Sequence, residues 1–231
     1  MIDTPSPDRR SRWLARLLRL YITLMIPVML VLLSARLVMT PAFLRFEYDR
    51  PGFPTDFYGF TQADRLRYAP YALSYLLNAE GIGYLDDLTF PDGSALFNSR
   101  ELQHMRDVKG ITQATFLFAV VAVAGVAAAG YALARKPSTR DDLRGALVAG
   151  SLLTYGLILS IVILSVVQWD VFFTGFHNLF FAEGSWMFLY SDTLIRLFPE
   201  QFWFDAALVI GGITLLGATI ILLAATQRVE R

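Results

Sequence analysis

Cysteine is missing from all 231 residues, and histidine occurs only twice. Without cysteine there can be no disulfide, no thiolate metal site and no cysteine nucleophile. Nor can the chain itself carry a lipid-modified N-terminal cysteine. Charge is also scarce: only 17% of residues are charged, and twenty basic side chains cancel twenty acidic ones. That balance removes the electrostatic footprint of a nucleic-acid binder. The glycine pattern of a serine hydrolase elbow is absent, as are the His-Glu-x-x-His zinc motif and the Walker and Rossmann loops. Gly184-Ser185-Trp186 lacks the elbow context, and Gly211-Gly212 falls inside an apolar run. Apolar side chains dominate instead, at 55% of residues with a mean hydropathy of +0.47. Such a composition belongs to a small polytopic membrane protein.

Four apolar runs approach the roughly 20 residues that cross a ~30 Å hydrocarbon core. They cover about 17–39, 111–134, 145–167 and 204–225. In lipid each must be a helix, because unpaired backbone groups there cost several kcal/mol apiece. The expected fold is therefore all-α: a basic N-terminal segment, 1–16, and one membrane domain, 17–231, with external segments 40–110 and 168–203. Pro27 predicts a kink in the first span. Gly125, Ala127, Ala128, Ala129 and Gly130 suit close packing of the second. The first run starts with basic residues like a signal peptide, but its core is too long and no small-residue cleavage site follows. The spans hold few polar residues, which weighs against transport. Residues 1–7, with two prolines, are expected to lack order.

Basic flanks set the orientation. Arg9, Arg10, Arg12, Arg16 and Arg19 precede the first span, and Arg135, Lys136, Arg140 and Arg144 join the second to the third. Arg228 and Arg231 follow the fourth, whereas 168–201 contains one basic residue, Arg196. Both termini are thus expected in the cytoplasm. Arg36, at the far edge of the first span, is expected to snorkel to the outer headgroups; its functional alternative is to bind a lipid phosphate.

This topology puts both histidines at the outer surface. Asn98-Ser-Arg-Glu101 reads as a helix cap that leads without a break into the second span. On that helix Glu101, His104, Asp107 and Val108 share a face, so Glu101 or Asp107 could orient the His104 imidazole. Upstream, Thr61 and Asp64 resemble a capping pair. Leu66, Ala69, Leu73, Leu76 and Leu77 then predict an amphipathic helix, although Pro70 calls for a kink or a later start. His177 and Asn178 lie in an aromatic stretch that includes Phe176, Phe180, Phe181 and Trp186, with Glu183 nearby. Such a stretch suits the headgroup zone. Two imidazoles at one depth suggest a single acid–base site. A zinc set completed by Asp107, Glu101 or Glu183 is possible in principle, but no ligand spacing supports it, and no metal is expected.

Several strings together carry a family resemblance: Phe57-Tyr58-Gly-Phe60, Leu96-Phe-Asn-Ser-Arg-Glu101, His104-Met-Arg-Asp-Val-Lys109, Phe176-His-Asn-Leu-Phe-Phe181, Trp186, Leu197-Phe-Pro199 and Phe202-Trp203. In this order the chain resembles the Lit-type lipoprotein intramolecular transacylases, four-span bacterial membrane proteins. The resemblance implies transfer of the sn-2 acyl chain of a diacylglyceryl lipoprotein to the α-amine of its own N-terminal Cys, giving a lyso-form lipoprotein. It implies no cofactor and a site at the outer face of the cytoplasmic membrane, with one of His104 and His177 as base, the other as acid or oxyanion donor, and either direct transfer or a covalent acyl-His intermediate. Arg36, Tyr58, Phe176, Phe180, Phe181 and Trp186 would contact lipid or substrate, with Glu101, Asp107, Asn178 and Glu183 supporting. The competing readings are a phospholipid-directed hydrolase or acyltransferase, a non-catalytic membrane assembly partner, and a zinc-dependent enzyme.

Overall fold

The computed structural model describes residues 7–227, with side chains from Ser11 onward. The N-terminal stretch 1–6, the side chains of Arg9 and Arg10, and Arg228 and Arg231 lie outside it, and Pro7 already opens the first helix. The helices in order are α1 (Pro7–Val38), α2 (Pro41–Tyr48), α3 (Gln62–Leu77), α4 (Gly83–Asp86), α5 (Ser99–Ala134), α6 (Arg140–Val167), α7 (Trp169–Phe180), α8 (Thr193–Leu197) and α9 (Glu200–Thr226). A 3₁₀ turn at Pro137–Thr139 leads into α6. Among the described residues the only β pairing is an isolated bridge between Thr89 and Ala95. Among the described residues four helices are long and apolar enough to cross a bilayer: Ser11–Val38, Ser99–Ala134, Pro137–Val167 and Glu200–Thr226. The chain is a multi-pass all-α membrane protein. At ~1.5 Å per residue the 36 residues of α5 reach ~54 Å, well beyond a ~30 Å core. Its polar first turns, which include His104, therefore precede the apolar run. The first helix continues through Pro27 without interruption.

The chain divides into two compact units. The first comprises 1–34, 117–161 and 210–231. Its core is built on small residues: Ala15, Ala129 and Ala146 pack with Ile22, Ile26 and Leu133. Small side chains allow backbones to approach, which matters where lipid supplies no hydrophobic drive between helices. A Cβ built on Gly150 would lie 2.6 Å from Ile26 Cδ1 and 3.0 Å from Ile26 Cβ, and one on Gly217 would lie 2.8 Å from a Leu30 methyl. Two of the buried polar side chains in this unit pair with each other. Thr214 donates to Ser34 at 3.0 Å, and Ser34 donates to the Leu30 carbonyl at 2.7 Å.

The second unit comprises 35–116 and 162–209. Thr61 and Asp64 form the expected reciprocal cap of α3, and the helix starts there and runs on through Pro70. The buried side of α3 is not the leucine stripe read from the sequence. Arg65, Tyr68, Ala69, Ala72 and Tyr75 are buried, while Leu66, Leu73, Leu76 and Leu77 are half-exposed. The tyrosines prevail because they find ring partners: Tyr68 against Phe60 and Phe90, and Tyr75 against Tyr84. At the other side of this unit Phe202 packs on Phe43 and Tyr48, and the Tyr48 hydroxyl donates to the Leu197 carbonyl at 2.9 Å. Arg36 is exposed at the last turn of α1 and donates to the Met39 carbonyl at 3.2 Å, where a cation suits the helix C-terminus.

Beside that aromatic contact lies a buried acidic pair. Glu47, 1% exposed, hydrogen-bonds Asp205, and Arg50 pairs with both. Burial, followed by the hydrogen bond and charge of Asp205, raises the Glu47 pKa from 4.5 to about 7, against the opposing pull of Arg50. The folded state therefore holds this proton more tightly than the unfolded chain does. The stabilisation is complete below pH 4.5 and is lost as pH rises through about 7.

Two outcomes are expected in detergent. Gly150→Leu lowers the thermal midpoint by the equivalent of about 1–3 kcal/mol through overpacking, whereas Gly156→Leu, where nothing lies within 4 Å of the added carbon, leaves it nearly unchanged; equal effects would contradict the packing account. Glu47→Gln imitates the protonated carboxyl and flattens the fall in stability between pH 4.5 and about 7. Parallel pH curves for this variant and the native chain would show that another group titrates.

Candidate active site

The head of α5 and the whole of α7 bring the two histidines together within the second unit. Asn98 Oδ1 accepts the amide N–H groups of Arg100 and Glu101, both at 3.0 Å, and Glu101 Oε2 accepts the Asn98 N–H at 2.8 Å. This cap starts the helix one turn before His104. On the other side, Gln168 opens α7, a helix of twelve residues with no fully buried side chain. The sequence reading placed an interfacial aromatic stretch here, without a helix. The helix directs His177 toward Phe173, Phe181 and Trp186.

Phe181 touches both imidazoles, with ring centroids 5.0 Å from His104 and 5.9 Å from His177. Phe188 closes on His104 at 5.3 Å. Phe173 and Trp186 close on His177 at 4.1 and 4.6 Å, and Phe176 stands edge-on to it at 5.7 Å. The two imidazoles are near enough to interact electrostatically. Their hydrogen bonding differs. His177 Nδ1 meets the Phe173 carbonyl at 2.7 Å, which requires the proton on Nδ1 and leaves Nε2 as the basic nitrogen. Burial lowers the His177 pKa from 6.5, and the Phe173 carbonyl only partly opposes it, so the ring is neutral at pH 7. His104 Nδ1 is buried without a hydrogen-bond partner among the described residues.

The supporting residues divide. Asn178 accepts the Trp186 indole N–H at 3.2 Å and so steadies the ring stacked on His177. Phe180 packs on Phe176 at 5.1 Å, away from both imidazoles, and Glu183 is exposed. Tyr58 lies elsewhere in the unit, at a cavity lined also by Arg65 and Arg196. Neither Glu101 nor Asp107, the possible partners of His104, is hydrogen-bonded to it among the described residues, although the Asp107 charge acts on the imidazole. Asp107 accepts the Gln103 amide at 3.0 Å. Glu101, 1% exposed, accepts the Leu194 N–H at 2.6 Å and so holds the start of α8. Among the described residues no three His, Asp or Glu side chains converge as a metal set.

The family model of the lipoprotein intramolecular transacylase Lit matches residues 20–203. The chain belongs to that family. It is similar to an uncharacterized protein of Aquifex aeolicus, 32% identical over 208 residues, which cover 90% of this chain and 92% of that one. Its fold is that of the membrane-integral lipoprotein intramolecular transacylase Lit of Bacillus cereus, at a TM-score of 0.73 and 22% identity over 91% of this chain and 93% of the other. Two further structures of the Bacillus cereus protein, with one histidine replaced by arginine or by alanine, align at TM-scores of 0.70 and 0.71 with 20% identity. They cover 94% and 95% of this chain and 92% and 96% of theirs.

Within this Lit-family fold, sequence reasoning missed how the histidine site is held from outside. Asn98 Nδ2 donates to Asp192 at 3.1 Å, Arg100 donates to the Met187 carbonyl, and Glu101 takes the Leu194 amide. Three consecutive polar contacts thus fix residues 187–194, which include Phe188. The only signal in the sequence was Arg196, the lone base in its segment, and its partner Asp56 stands 140 positions away.

Glu101→Ala frays the head of α5 and leaves the Leu194 amide unpaired in a buried setting. A loss of about 1–3 kcal/mol is expected, read as a lower thermal midpoint. Asp107→Ala breaks one exposed hydrogen bond and is expected to cost less than about 0.5 kcal/mol. If the two variants matched, Glu101 would not be the anchor described.

Proposed function

We propose that the chain moves the sn-2 acyl group of a diacylglyceryl lipoprotein from the glycerol oxygen to the α-amine of that lipoprotein's N-terminal Cys. The product carries an amide at the N-terminus and a monoacylglyceryl thioether. Membership of the Lit family supports the reaction class, and the shared contact of both histidines with Phe181 supports their acting as one site. Both termini are assigned to the cytoplasm and the histidine site to the outer face, where a lipoprotein anchored in the outer leaflet meets it. The basic flanks carry that orientation.

The chemistry asks for little beyond placement and proton management. Ester-to-amide exchange runs downhill. Donor and acceptor sit in one molecule, so holding them adjacent supplies several kcal/mol of barrier reduction. An α-ammonium with a pKa of ~8 must lose a proton before it attacks the ester carbonyl. The tetrahedral oxyanion then needs a donor, and the departing glycerol alkoxide needs a proton.

His177 is assigned as the base. The Phe173 carbonyl holds its proton on Nδ1 and keeps Nε2 unprotonated, while burial favours the neutral ring. His104 is assigned as the donor. Its Nδ1 has no carbonyl or carboxylate bonded to it to fix its tautomer among the described residues, so the neutral ring is free to donate an N–H hydrogen bond to the oxyanion. The ammonium gives one proton to solvent before attack; the second, taken from the attached nitrogen by His177 Nε2, is handed by the same ring to the departing glycerol oxygen, so both histidines end neutral. Phe176, Phe180, Phe181 and Trp186 supply the apolar surface for the acyl chains. Attack by the amine on the ester, rather than by a histidine, is the simpler path because it needs one acyl transfer and not two.

The test is expression in a host that makes only diacylglyceryl lipoproteins, with mass spectrometry of one reporter's N-terminal peptide. The native chain is expected to give an N-acylated, monoacylglyceryl peptide. His104→Ala and His177→Ala are expected to lose at least about a hundredfold in rate while accumulating normally in the membrane. Because the His177 pKa is lowered, protonation of Nε2 removes activity only in acid, while toward a pH of about 8 the rate rises with the free-amine fraction of the substrate. Near-normal transfer by either alanine variant would refute the two-histidine mechanism. Free fatty acid or lysophospholipid in place of the N-acyl peptide would move the substrate to phospholipid.

A further inference from the structure

The second unit contains another built site, which shares no lining residue with the aromatic box around the histidines. Arg196, at the end of α8, lies 3.6 Å above the centre of the Phe60 ring and is held by the Asp56 carboxylate through Nε at 3.2 Å and Nη2 at 3.1 Å. Its Nη2 also donates to the Tyr58 carbonyl at 3.1 Å. Arg65, buried in α3, donates through Nε to the Arg196 carbonyl at 2.9 Å and through Nη1 to the Pro54 carbonyl at 2.6 Å. Its guanidinium lies 5.0 Å from the centre of the Phe53 ring.

Both guanidinium groups border a cavity of about 360 Å³, with Asp56 as the one acid in its lining. Two fixed positive charges against one negative charge leave an excess of one. Burial lowers the Arg65 pKa, and Asp56 opposes that. Neither Nη1 of Arg196 nor Nη2 of Arg65 has a protein acceptor among the described residues. Planar donors held from behind and left with unused N–H groups suit a tetrahedral or planar oxyanion.

The mouth of the cavity favours a lipid as the source. Phe57 is 93% exposed, Tyr190 81% and Tyr58 49%, and all three line it. Exposed aromatic rings of this kind sit at the headgroup level of a bilayer, with acyl chains on one side and phosphate on the other. We propose that this cavity binds the phosphate of an anionic phospholipid, gripped by Arg65 and Arg196 and flanked by Phe57, Tyr58 and Tyr190. It is a lipid site distinct from the histidine pair, and it does not depend on the acyl-transfer reading.

The full chain in neutral detergent is titrated with short-chain phosphatidylglycerol, and binding is followed by native mass spectrometry and by the thermal midpoint. One saturable phosphatidylglycerol per chain is expected, with a rise in the midpoint. Diacylglycerol, which lacks the phosphate, should not displace it. Arg196→Gln is expected to weaken binding at least tenfold. Because that change also removes the Asp56 pair, Tyr190→Glu is run beside it. This variant puts a carboxylate at the cavity mouth on a side chain that is 81% exposed, and it is expected to weaken binding as strongly while the unliganded midpoint stays native. Equal phosphatidylglycerol binding by the native chain and Tyr190→Glu would overturn the proposal, as would displacement by diacylglycerol. Inorganic phosphate that binds as tightly as the lipid and displaces it would overturn the lipid assignment in favour of a free anion.

Discussion

A single buried carboxylate, that of Glu101, underlies the arrangement of the second unit. One of its oxygens closes the cap that begins α5, and the other holds the Leu194 amide 93 positions along the chain. Burying a carboxylate is costly unless every lone pair facing the interior has a donor. Here the backbone supplies those donors, so the group is tolerated because of the geometry it enforces. If α8 moved, the charge would lose a partner in a place water does not reach. Asn98 and Arg100 extend the same grip to Asp192 and Met187. His104 lies one helical turn from that clamp, so its position follows from where α5 is made to start.

The histidine site works by the opposite device. Instead of being surrounded by polar partners, both imidazoles are enclosed by phenylalanine and tryptophan rings, and His177 alone has a hydrogen bond to fix its proton. In such surroundings a neutral base is stable and a developing charge is poorly screened, so each donor that meets an oxyanion counts for more than it would in water. A strongly paired histidine would be more basic, but it would be protonated at rest and unable to accept a proton from the amine. Among the described residues no carboxylate is hydrogen-bonded to His104, which fits that requirement: Glu101 binds backbone amides, and Asp107 accepts from Gln103 and acts on the ring only through its charge.

Much of this was legible in the sequence, for identifiable reasons. Length and apolarity suffice to recognise the four spans, because lipid admits no other backbone conformation. The Thr61–Asp64 and Asn98–Glu101 caps are local, and local patterns survive folding. The buried face of α3 was not legible. Its leucines have the right spacing, but Tyr68 and Tyr75 find aromatic partners from Phe60, Phe90 and Tyr84, and those distant contacts outweigh the periodicity. The helix over Trp169–Phe180 was missed because an aromatic run reads equally well as an irregular interfacial segment. Glu101 was found as a cap and also offered as a partner for His104, since spacing on one helix cannot reveal an amide arriving from α8. The Arg65–Arg196–Asp56 cluster joins residues up to 140 positions apart, and no window on the chain contains it.

Residues 181–190 connect these arrangements. Phe181, Trp186 and Phe188 pack on the imidazoles, the Met187 carbonyl takes Arg100, and Tyr190 lines the arginine cavity. Each of these contacts uses a different residue of one short segment, with Gly184 at a positive φ of 77° supplying a turn that a larger side chain resists. The segment cannot shift at Tyr190 without moving Phe188 two residues away, nor at Phe188 without disturbing the ring over His104. Covalent continuity therefore couples the aromatic wall of the histidine site to the cavity mouth. The stiffness of that coupling comes from the head of α5, which holds the segment at Met187 through Arg100 and the chain just beyond it, at Asp192 and Leu194, through Asn98 and Glu101.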